Sequence, residues 1–277
     1  MRLLPNCKIN IGLHVVRKRA DGYHDLETIF YPVYGLHDVL DIEIAEGSED
    51  IELTTGNLLI DCASDDNLVV RCYRQMREKH PQVGSVRVHL TKNIPFGAGL
   101  GGGSSDAAHT AIALNELFHL GLSKKQLAEE VRSLGADCPF FIYNTPCFAE
   151  GIGDKLTPIR LNLSGLRLVM VKPPVNVSTR EAYAGLTPDG KEGHYAPDYS
   201  DYRTYRNDFE STIFAAHPML AEIKQKLTDA GACYAAMSGS GSTIFGLFEN
   251  NAECGAGTDN RLKDKDFAPM IIFDNTL

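Results

Sequence analysis

The sequence predicts an α+β fold, and three observations support this prediction. Apolar residues alternate in several short runs, as in strands, and recur at helical spacing in others. The two kinds of run follow one another without the regular strand–helix–strand order of a parallel sheet. With 277 residues, 43% of them hydrophobic, the chain is long enough for one large or two modest domains. We place a domain boundary after residue 154, which gives segments 1–154 and 155–277.

The first strand is predicted over residues 7–16, because apolar and polar side chains alternate there. A second strand is predicted to begin near Leu26, after a turn at Asp21-Gly22. The polar face of the first strand is either a solvated surface or one wall of a functional site. The apolar face holds Ile9, Ile11, Leu13 and Val15, and the polar face holds Lys8, Asn10, Gly12 and His14.

Capping residues predict two helices in the first half of the chain. Asp66 is the predicted N-cap of a helix that stops before Pro81. Ser104 or Ser105 is the predicted N-cap of a helix that ends near Leu120. Further strands are predicted over 39–44, 51–53, 86–90, 166–171, 233–237 and 243–248.

Three later segments complete the prediction. Ser123 and Gln126 form a capping-box pattern for a helix that we expect to end at Gly135. An amphipathic helix is predicted over 218–230. The segment 186–204 is rich in Gly, Pro, Tyr and charged residues, and we interpret it as a surface loop.

The most informative segment is the glycine-rich run 95–108, Pro-Phe-Gly-Ala-Gly-Leu-Gly-Gly-Gly-Ser-Ser-Asp-Ala-Ala. Five glycines fall within seven positions of it. Glycine lets successive backbone N–H groups turn toward one centre, and a helix N-terminus adds N–H donors without partners. Together they predict an anion site, most commonly one for phosphate. The structural alternative is a turn that only packs a helix against a sheet, but such a turn needs fewer glycines.

Three common nucleotide-binding classes do not fit this run. Gly97, Gly99 and Gly102 match G-x-G-x-x-G, but far from the first strand–helix turn where dinucleotide folds carry that motif. No lysine directly precedes Ser104, as a P-loop requires. The sequence also lacks the VAIK, HRD and DFG motifs of protein kinases. The run therefore predicts a phosphate site of another class.

Composition and charge exclude other functions. A net charge of −9 argues against a nucleic-acid-binding protein, which normally carries a basic face. No apolar run reaches the roughly 18 residues that cross a bilayer. The N-terminus lacks the apolar region of a signal peptide, so we expect a cytoplasmic protein with no membrane partner. The seven cysteines are scattered without a CxxC pair, which favours buried thiols over a zinc site.

Three separated motifs resemble the GHMP kinases, the family that includes galactokinase, homoserine kinase and mevalonate kinase. The run 95–108 is similar to the loop that wraps the ATP phosphates in that family. Lys8-Ile-Asn10 resembles its N-terminal signature, and Met237-Ser-Gly-Ser-Gly-Ser-Thr243 resembles its C-terminal glycine motif. One branch of the family, whose acceptor is a cytidine-diphosphate sugar alcohol, is matched by further strings at Arg19–Thr28, Asp66–Leu68, Gly135–Phe141 and Asn207–Glu210.

The resemblance implies a two-lobed fold with the active site in the cleft between the lobes, and ATP and Mg²⁺ as cofactors. It implies that Lys8 and Asp137 are the catalytic pair, in which Asp137 takes or orients the proton of the attacking hydroxyl. Lys8 is expected to keep Asp137 ionised, because a nearby opposite charge lowers a carboxylate pKa. The implied ATP-binding residues are Asn67, Lys92, Pro95, Phe96, Gly97, Ala98, Gly99, Leu100, Gly101, Gly102, Gly103, Ser104 and Ser105.

The resemblance also implies an acceptor site. A cytosine base needs an aromatic platform and polar groups at its edge. His24 is the expected reader of that edge, and Tyr23 or Tyr183 the expected platform, although Tyr183 is equally typical of a packed helix aromatic. The implied acceptor-binding residues are Asn10, Tyr23, His24, Asp137, Thr179 and Tyr183.

Other functions stay open on the sequence alone. A GHMP kinase of another small alcohol, such as homoserine or mevalonate, is disfavoured by the string Arg19–His24. A ligand-binding relative without catalysis is disfavoured because both Lys8 and Asp137 are present. An oxidoreductase is disfavoured by the position of the glycine motif in the chain.

Overall fold

A computed structural model describes residues 1–46, 50–57, 64–188, 190–191, 195–196, 198–249, 262 and 267–277. The described strands are β1 (Arg2–Leu3), β2 (Asn6–Lys18), β3 (His24–His37), β4 (Val39–Ile44), β5 (Glu52–Asn57), β6 (Val86–Lys92), β7 (Cys147–Glu150), β8 (Lys155–Pro158), β9 (Arg167–Val171), β10 (Tyr234–Met237), β11 (Ile244–Phe248) and β12 (Ile271–Thr276). The described helices are α1 (Leu68–Lys79), α2 (Gly102–Leu117), α3 (Lys124–Val131), α4 (Cys138–Tyr143), α5 (Thr179–Ala184), α6 (Phe209–Ala216) and α7 (Pro218–Asp229). The mixture confirms the predicted α+β class.

The chain forms two compact units that interleave along the sequence. The first unit consists of 1–8, 32–96 and 101–145. The second consists of 9–31, 97–100 and 146–277. The division of the sequence after residue 154 into two family domains stays a prediction.

The first unit contains a four-stranded sheet in the order β1-β4-β6-β5. Strand β4 pairs antiparallel with β6, whereas β5 pairs parallel with β6, so that Asn57 lies opposite Lys92. The carboxyl ends of β5 and β6 therefore share one edge of the sheet. The glycine-rich run leaves β6 at this edge, where α/β proteins commonly bind ligands. Helix α2 packs against α1, α3 and α4.

The second unit holds an antiparallel sheet in the order β10-β11-β9-β12 and most of a sheet in the order β2-β3-β7-β8. Helices α6 and α7 cover the former through a core that includes Val169, Val171, Leu220, Ile223 and Leu227. Burying these apolar side chains is the main favourable free-energy term that holds the helices on the sheet.

Strand β2 is buried on both faces. Its apolar face is core, as predicted. Its polar face is buried as well, including Lys8, Asn10 and His14. A solvated face is therefore the wrong interpretation of the polar side chains. Buried polar groups need partners, and these partners define the candidate site.

Several predicted boundaries are confirmed and others are corrected. Strand β4 has the predicted bounds, and the capping box of Ser123 and Gln126 begins α3. The N-cap of α1 is Asn67 rather than Asp66, because Asp66 belongs to a preceding 3₁₀ turn. Helix α3 ends at Val131 rather than at 135.

The predicted serine cap of α2 is wrong. The helix begins at Gly102, before both serines, and Gly101 occupies the N-cap position without a side-chain hydrogen bond. Ser104 and Ser105 therefore lie inside the first turns of the helix, which ends at Leu117 rather than near 120.

The described part of the Tyr-rich segment is not simply a surface loop. Its described residues are exposed or partly buried, as predicted for a surface loop, but Tyr195 packs against the rings of Phe148 and Tyr205, while positions 189, 192–194 and 197 lie outside the described residues.

The described cysteines are reduced, and four of them are buried, as the scattered spacing predicts. Cys7, Cys72, Cys138 and Cys147 are buried and Cys233 is partly exposed, whereas positions 62 and 254 lie outside the described residues. None of the described helices is long and apolar enough to cross a membrane.

Candidate active site

The start of α2 presents backbone N–H groups without a side-chain cap. Gly101 adopts a left-handed conformation with φ of 72°, and no side chain accepts from the first turn. A Cβ at Gly101 would lie 2.9 Å from the ring of Phe141 and 3.3 Å from Cε of Lys8. Only glycine fits this position, and the N–H groups with their partial positive charge are left for an anion.

Lys8 and Asp137 form an ion pair in the first unit. The Nζ of Lys8 lies 3.4 Å from Oδ2 of Asp137, and the Lys8 side chain is only 4% exposed, whereas that of Asp137 is 30% exposed. Asp137 stands at the N-cap position of α4 but makes no capping hydrogen bond. Its carboxylate is therefore not a helix cap, and its accessible oxygen faces a cation that is held in place by burial.

The residues around Asp137 fix its position. Pro139 suits the first turn of α4, where a backbone N–H is not needed. A Cβ at Gly135 would lie 3.4 Å from Sγ of Cys138 and 3.6 Å from Oγ of Ser104. Burial raises the pKa of the Cys138 thiol to about 12, with a smaller contribution in the same direction from the Asp137 charge. Cys138 is therefore a neutral packing residue between α2 and α4.

Lys92 lies beneath the glycine-rich run between two buried carboxylates. Its Nζ donates to Oδ2 of Asp106 at 2.7 Å and also bonds the carboxylate of Asp38. The other oxygen of Asp38 accepts the backbone N–H groups of Asn93 and Ile94 at 2.6 and 2.8 Å. One ammonium thus ties the chain entering the run, near Asn93, to the helix that follows it.

The pKa values of Asp106 and Lys92 are both shifted by their burial and by each other's charge. Burial, together with the nearby charge of Asp38, raises the pKa of Asp106 to about 8, although Lys92 opposes this rise. The pKa of Lys92 is raised despite burial, because both carboxylates stabilise its positive charge. Near neutral pH Asp106 therefore carries a proton and adds no negative charge beneath the anion site.

Asn67 and Ser105, two predicted nucleotide-side residues, lie at the start of α1 and in the first turns of α2. The Oδ1 of Asn67 accepts the N–H of Val69 at 2.9 Å. Ser105 is fully buried, and its hydroxyl lies 3.4 Å from Nδ1 of His109, so it faces the helix interior. Arg71, one turn further along α1, is exposed and forms no ion pair with any described residue. The positive charge of Arg71 makes a small contribution that lowers the pKa of the Cys138 thiol.

In the second unit the first half of the glycine-rich run packs against the C-terminal glycine motif. The hydroxyl of Ser238 donates to the carbonyl of Gly99 at 2.9 Å, and a Cβ at Gly99 would lie 2.0 Å from the Ser238 carbonyl oxygen. The N–H of Thr243 donates to the carbonyl of Ala98 at 3.3 Å. The backbones approach so closely that Gly99 must be a glycine.

Asn10 joins the same cluster. Its backbone N–H donates to Oγ of Ser238 at 3.2 Å, and its carboxamide donates to Oγ1 of Thr28 at 3.0 Å. Asn207 holds the C-terminal motif from the other side, because its carboxamide donates to the carbonyls of Met237 and Gly239 at 2.8 and 2.7 Å. The predicted motifs at Asn10, 97–100, Asn207 and 237–243 therefore meet within the second unit.

The predicted aromatic residues of the acceptor site also come together in part. The rings of His24 and Tyr183 stack with centroids 4.4 Å apart, and Tyr183 meets Phe209 edge-on at 4.8 Å. Burial lowers the pKa of His24, with a smaller effect from Lys18, so His24 is neutral near pH 7. Tyr23 is 61% exposed and outside this stack.

Thr179 and Phe96 lie at the surface, whereas Leu100 is buried. Thr179, the first residue of α5, is exposed. Phe96 is 60% exposed beside the partly buried Pro95.

Comparison with known proteins places this geometry in a family. The profile described as GHMP kinases N terminal domain matches residues 67–145, and the profile described as GHMP kinases C terminal matches residues 200–253. A 4-diphosphocytidyl-2-C-methyl-D-erythritol kinase of Bacteroides fragilis is 47% identical over 289 residues, which cover 100% of both chains. The chain belongs to the GHMP kinase family. Members of this family are kinases that use ATP as phosphoryl donor.

Other relatives agree with this assignment. A protein of the same name from Bacteroides thetaiotaomicron is 46% identical over 261 residues, covering 90% of this chain and 92% of the relative. A crystal structure titled 4-(cytidine 5'-diphospho)-2C-methyl-D-erythritol kinase superposes with a TM-score of 0.79 at 33% identity, covering 95% of each chain. The structure of homoserine kinase from Cytophaga hutchinsonii superposes with a TM-score of 0.70 at 17% identity, covering 98% of this chain and 94% of that chain, and shows the shared fold alone.

Sequence reasoning missed several members of this GHMP kinase site. Thr28 and Ser238 belong to the motifs Arg19–Thr28 and Met237–Thr243, but nothing in the spacing of these motifs identifies the two residues as hydrogen-bond partners of Asn10. Asp38 and Asp106 were missed because an acidic residue without an alternating pattern gives no sign of a buried lysine partner.

Proposed function

We propose that this chain transfers the γ-phosphoryl group of ATP to the 2-hydroxyl of 4-diphosphocytidyl-2-C-methyl-D-erythritol, a step of the non-mevalonate route to isoprenoids. The observation that carries the proposal is the Lys8–Asp137 pair, 3.4 Å apart and placed beside the uncapped start of α2. Its support on the acceptor side is the 47% identity, over the full length of both chains, to a relative named for this substrate.

The pair suits phosphoryl transfer to an alcohol. Asp137 accepts the proton of the attacking hydroxyl as the new oxygen–phosphorus bond forms. The bond between the γ-phosphorus and the bridging oxygen breaks at the same time, and ADP leaves with that electron pair. Lys8 stabilises the negative charge that develops on the transferred group, and because Lys8 is buried its charge is weakly screened.

The glycine-rich run is the proposed phosphate site. We assign the β- and γ-phosphates to the run 97–105, where the N–H groups of the α2 residues before Ser105 have the arrangement that helix N-termini offer to anions, while the N–H of Ser105 donates to the carbonyl of Gly101 at 2.9 Å. Asn67 and Lys92 each have a donor to offer on the nucleotide side. The Oδ1 of Asn67 already accepts from Val69, which leaves its carboxamide nitrogen as the donor. Two N–H groups of Lys92 bond Asp38 and Asp106, which leaves the third. Pro95 and Phe96 are the first two residues of the run, and Phe96 is exposed.

Mg²⁺ fits the residues present. This ion keeps several waters and is commonly held by one or two carboxylates together with substrate phosphates. Among the described residues there is no group of three or more His, Cys, Asp or Glu side chains that could form a protein cage. The hydroxyl of Ser104, in the first turn of α2, is the side-chain oxygen that would hold it with the phosphates, and Asp137 is left to accept the proton. When bound, Mg²⁺ neutralises charge on the transferred phosphoryl group.

The acceptor side is assigned to the second unit. Asn10, Tyr23 and His24 lie on or before the strands β2 and β3, and Thr179 and Tyr183 lie on α5. A cytosine base would replace one ring of the His24–Tyr183 stack or extend it, because nucleobases stack on aromatic faces. The neutral His24 can then both donate and accept at the pyrimidine edge.

An acceptor panel tests this function. ADP release is measured for the purified chain with ATP, Mg²⁺ and 4-diphosphocytidyl-2-C-methyl-D-erythritol, homoserine or mevalonate in turn. We expect turnover with the cytidine-diphosphate acceptor to exceed that with the other alcohols by a factor of about 10³ or more, because unpaired buried polar groups reject substrates that lack their partners. Preferential turnover of homoserine or mevalonate would refute the acceptor assignment, and no turnover with any alcohol would refute the kinase.

A further inference from the structure

Three tyrosines close around a single glycine of β2. Gly12 has φ of +67°, and a Cβ there would lie 2.7 Å from Oη of Tyr195 and 2.8 Å from Cβ of Tyr205. The hydroxyl of Tyr234 accepts the backbone N–H of Gly12 at 3.0 Å. We call Tyr195, Tyr205 and Tyr234 the tyrosine brace. A side chain at residue 12 would both force the brace apart and strain the backbone.

The brace connects the Tyr-rich segment to β3. The hydroxyl of Tyr195 donates to the carbonyl of Glu27 at 3.0 Å, and its ring meets that of Tyr205 at 4.5 Å and that of Phe148 at 5.3 Å. The hydroxyl of Tyr205 accepts the N–H of Ala196 at 2.9 Å. Burial raises the pKa of the Tyr195 phenol well above its usual value, so it keeps the proton that it donates.

A continuous set of hydrogen bonds leads from the brace to Asn10. The carbonyl of Gly12 accepts from Oγ1 of Thr28 at 2.6 Å, and Oγ1 of Thr28 accepts from the carboxamide of Asn10 at 3.0 Å. Asn10 and Thr28 are both buried. Because each group in this series has its partner fixed, the rotamer of Asn10 is coupled to the position of Gly12.

We propose that the tyrosine brace positions Asn10 for the acceptor alcohol, so that Tyr195, Tyr234 and Thr28 set the affinity for the acceptor and not for ATP. The proposal rests on the proposed function, in which Asn10 lies on the acceptor side. It also gives a role to the segment 186–204, part of which holds β2 and β3 in register at the residues that meet the substrate. These residues act through Asn10 and are positioning residues rather than catalytic ones.

Conservative variants test the proposal. Tyr195→Phe and Tyr234→Phe each remove one hydroxyl and keep the ring, and Thr28→Val removes a hydroxyl and keeps the side-chain volume. We expect each to raise KM for the acceptor by about two- to tenfold, as the loss of one hydrogen bond predicts, with KM for ATP unchanged. Thr28→Ser keeps the hydroxyl and is expected to restore the wild-type KM.

Tyr31→Phe is the matched control. Tyr31 lies on β3 in the same unit, and its hydroxyl accepts the N–H of Leu163 at 3.3 Å, away from Asn10. We expect the melting temperature of this variant to change about as much as that of Tyr195→Phe, but both KM values to stay at the wild-type level. If Tyr195→Phe, Tyr234→Phe and Thr28→Val also leave the acceptor KM unchanged, or raise both KM values equally, the proposal is wrong.

The wild-type chain separates this proposal from the proposed function. If wild type phosphorylates another alcohol instead, the proposed acceptor is wrong, but the brace is still tested with that alcohol. The same selective rise in acceptor KM is then expected. A rise in KM for ATP alone would overturn the brace proposal whichever acceptor is used.

Discussion

The ammonium of Lys8 lies 3.4 Å from a carboxylate oxygen of Asp137, and of the two side chains only Asp137 is appreciably exposed. Because the cation is buried, its positive charge stays close to the reacting groups and is weakly screened. The more exposed carboxylate of Asp137 can still contact the acceptor hydroxyl, whose proton it is proposed to accept. Helix α4 fixes the carboxylate, and strand β2 fixes the cation. The pairing brings together in the first unit the two groups to which we assign the phosphoryl transfer.

Removal of the Asp137 charge is expected to abolish most of the activity without unfolding the protein. Asp137→Asn keeps the size of the side chain but cannot take a proton, so kcat should fall by about 10²- to 10⁴-fold, the usual contribution of a general base. The carboxylate makes no capping hydrogen bond, so the melting temperature should change little. Steady-state kinetics and thermal denaturation measure the two effects. A kcat near wild type would refute the assigned role.

Asp106 is expected to make ATP binding depend on pH. Its pKa is raised to about 8 by burial, so below that pH it is neutral and above it adds a negative charge behind the anion site. KM for ATP should therefore rise by about tenfold between pH 7 and 9, a magnitude typical of a unit charge at a partly screened distance. The isosteric Asp106→Asn should show a flat profile over this range. A variant that retains the wild-type pH dependence would contradict the assignment.

The same carboxyl group has a consequence for stability. The folded protein holds the Asp106 proton more tightly than the unfolded chain, whose pKa is near 3.8. The unfolded state therefore binds fewer protons, and the free energy of unfolding should fall as the pH rises from about 4 to about 8. Denaturant unfolding at several pH values, with Asp106→Asn as control, measures this contribution. A difference between wild type and variant that does not change with pH would contradict it.

Two glycines of the run separate backbone strain from steric contact. Gly97 and Gly99 both have positive φ, but a Cβ at Gly97 meets nothing within 4 Å, whereas one at Gly99 would lie 2.0 Å from the Ser238 carbonyl oxygen. Gly97→Ala should cost about 1–2 kcal/mol, the usual left-handed penalty. Gly99→Ala should cost more and lower the melting temperature further. If the two substitutions lower the melting temperature equally, the backbone must move away from Ser238 at no cost in free energy, and the steric argument for Gly99 is wrong.

The aromatic stack is expected to determine acceptor binding. Tyr183→Ala removes the ring that stacks on His24, and KM for the acceptor should rise by about tenfold or more, as the loss of one base-stacking platform predicts. Tyr183→Phe keeps the ring and should behave like wild type. KM for ATP serves as the internal control for both variants. An unchanged acceptor KM in Tyr183→Ala would remove Tyr183 from the site.

The sequence predicted the elements whose signals are local. The bounds of β4 follow from alternation, and the start of α3 follows from the reciprocal bonds of Ser123 and Gln126. The start of α2 was mispredicted because Gly102 adopts a helical conformation, although glycine has a poor helix propensity. At this position the need for a residue without a Cβ, which leaves the backbone N–H groups accessible, outweighs the poor helix propensity of glycine.

The site residues that belong to sequence motifs could be predicted. The residues that contact them from distant parts of the chain could not. Lys8 and Asp137 are 3.4 Å apart although they are far apart in the chain, and only the family pattern paired them. The carboxylates of Asp38 and Asp106 around Lys92, and the approach of Tyr195 to Gly12, arise from tertiary packing. No periodicity or spacing in the sequence encodes such contacts.

The identity of the phosphorylated product tests the central claim most directly. The ³¹P NMR spectrum is recorded while the chain turns over ATP with 4-diphosphocytidyl-2-C-methyl-D-erythritol, and Asp137→Asn is run in parallel. We predict a new phosphomonoester signal that grows in step with ADP while the cytidine diphosphate signals persist, and that shows no three-bond proton splitting, because C2 of a 2-C-methyl alcohol carries no hydrogen. The variant should produce neither. ADP formation accompanied only by inorganic phosphate, or a phosphate at another position of the acceptor, would contradict the account.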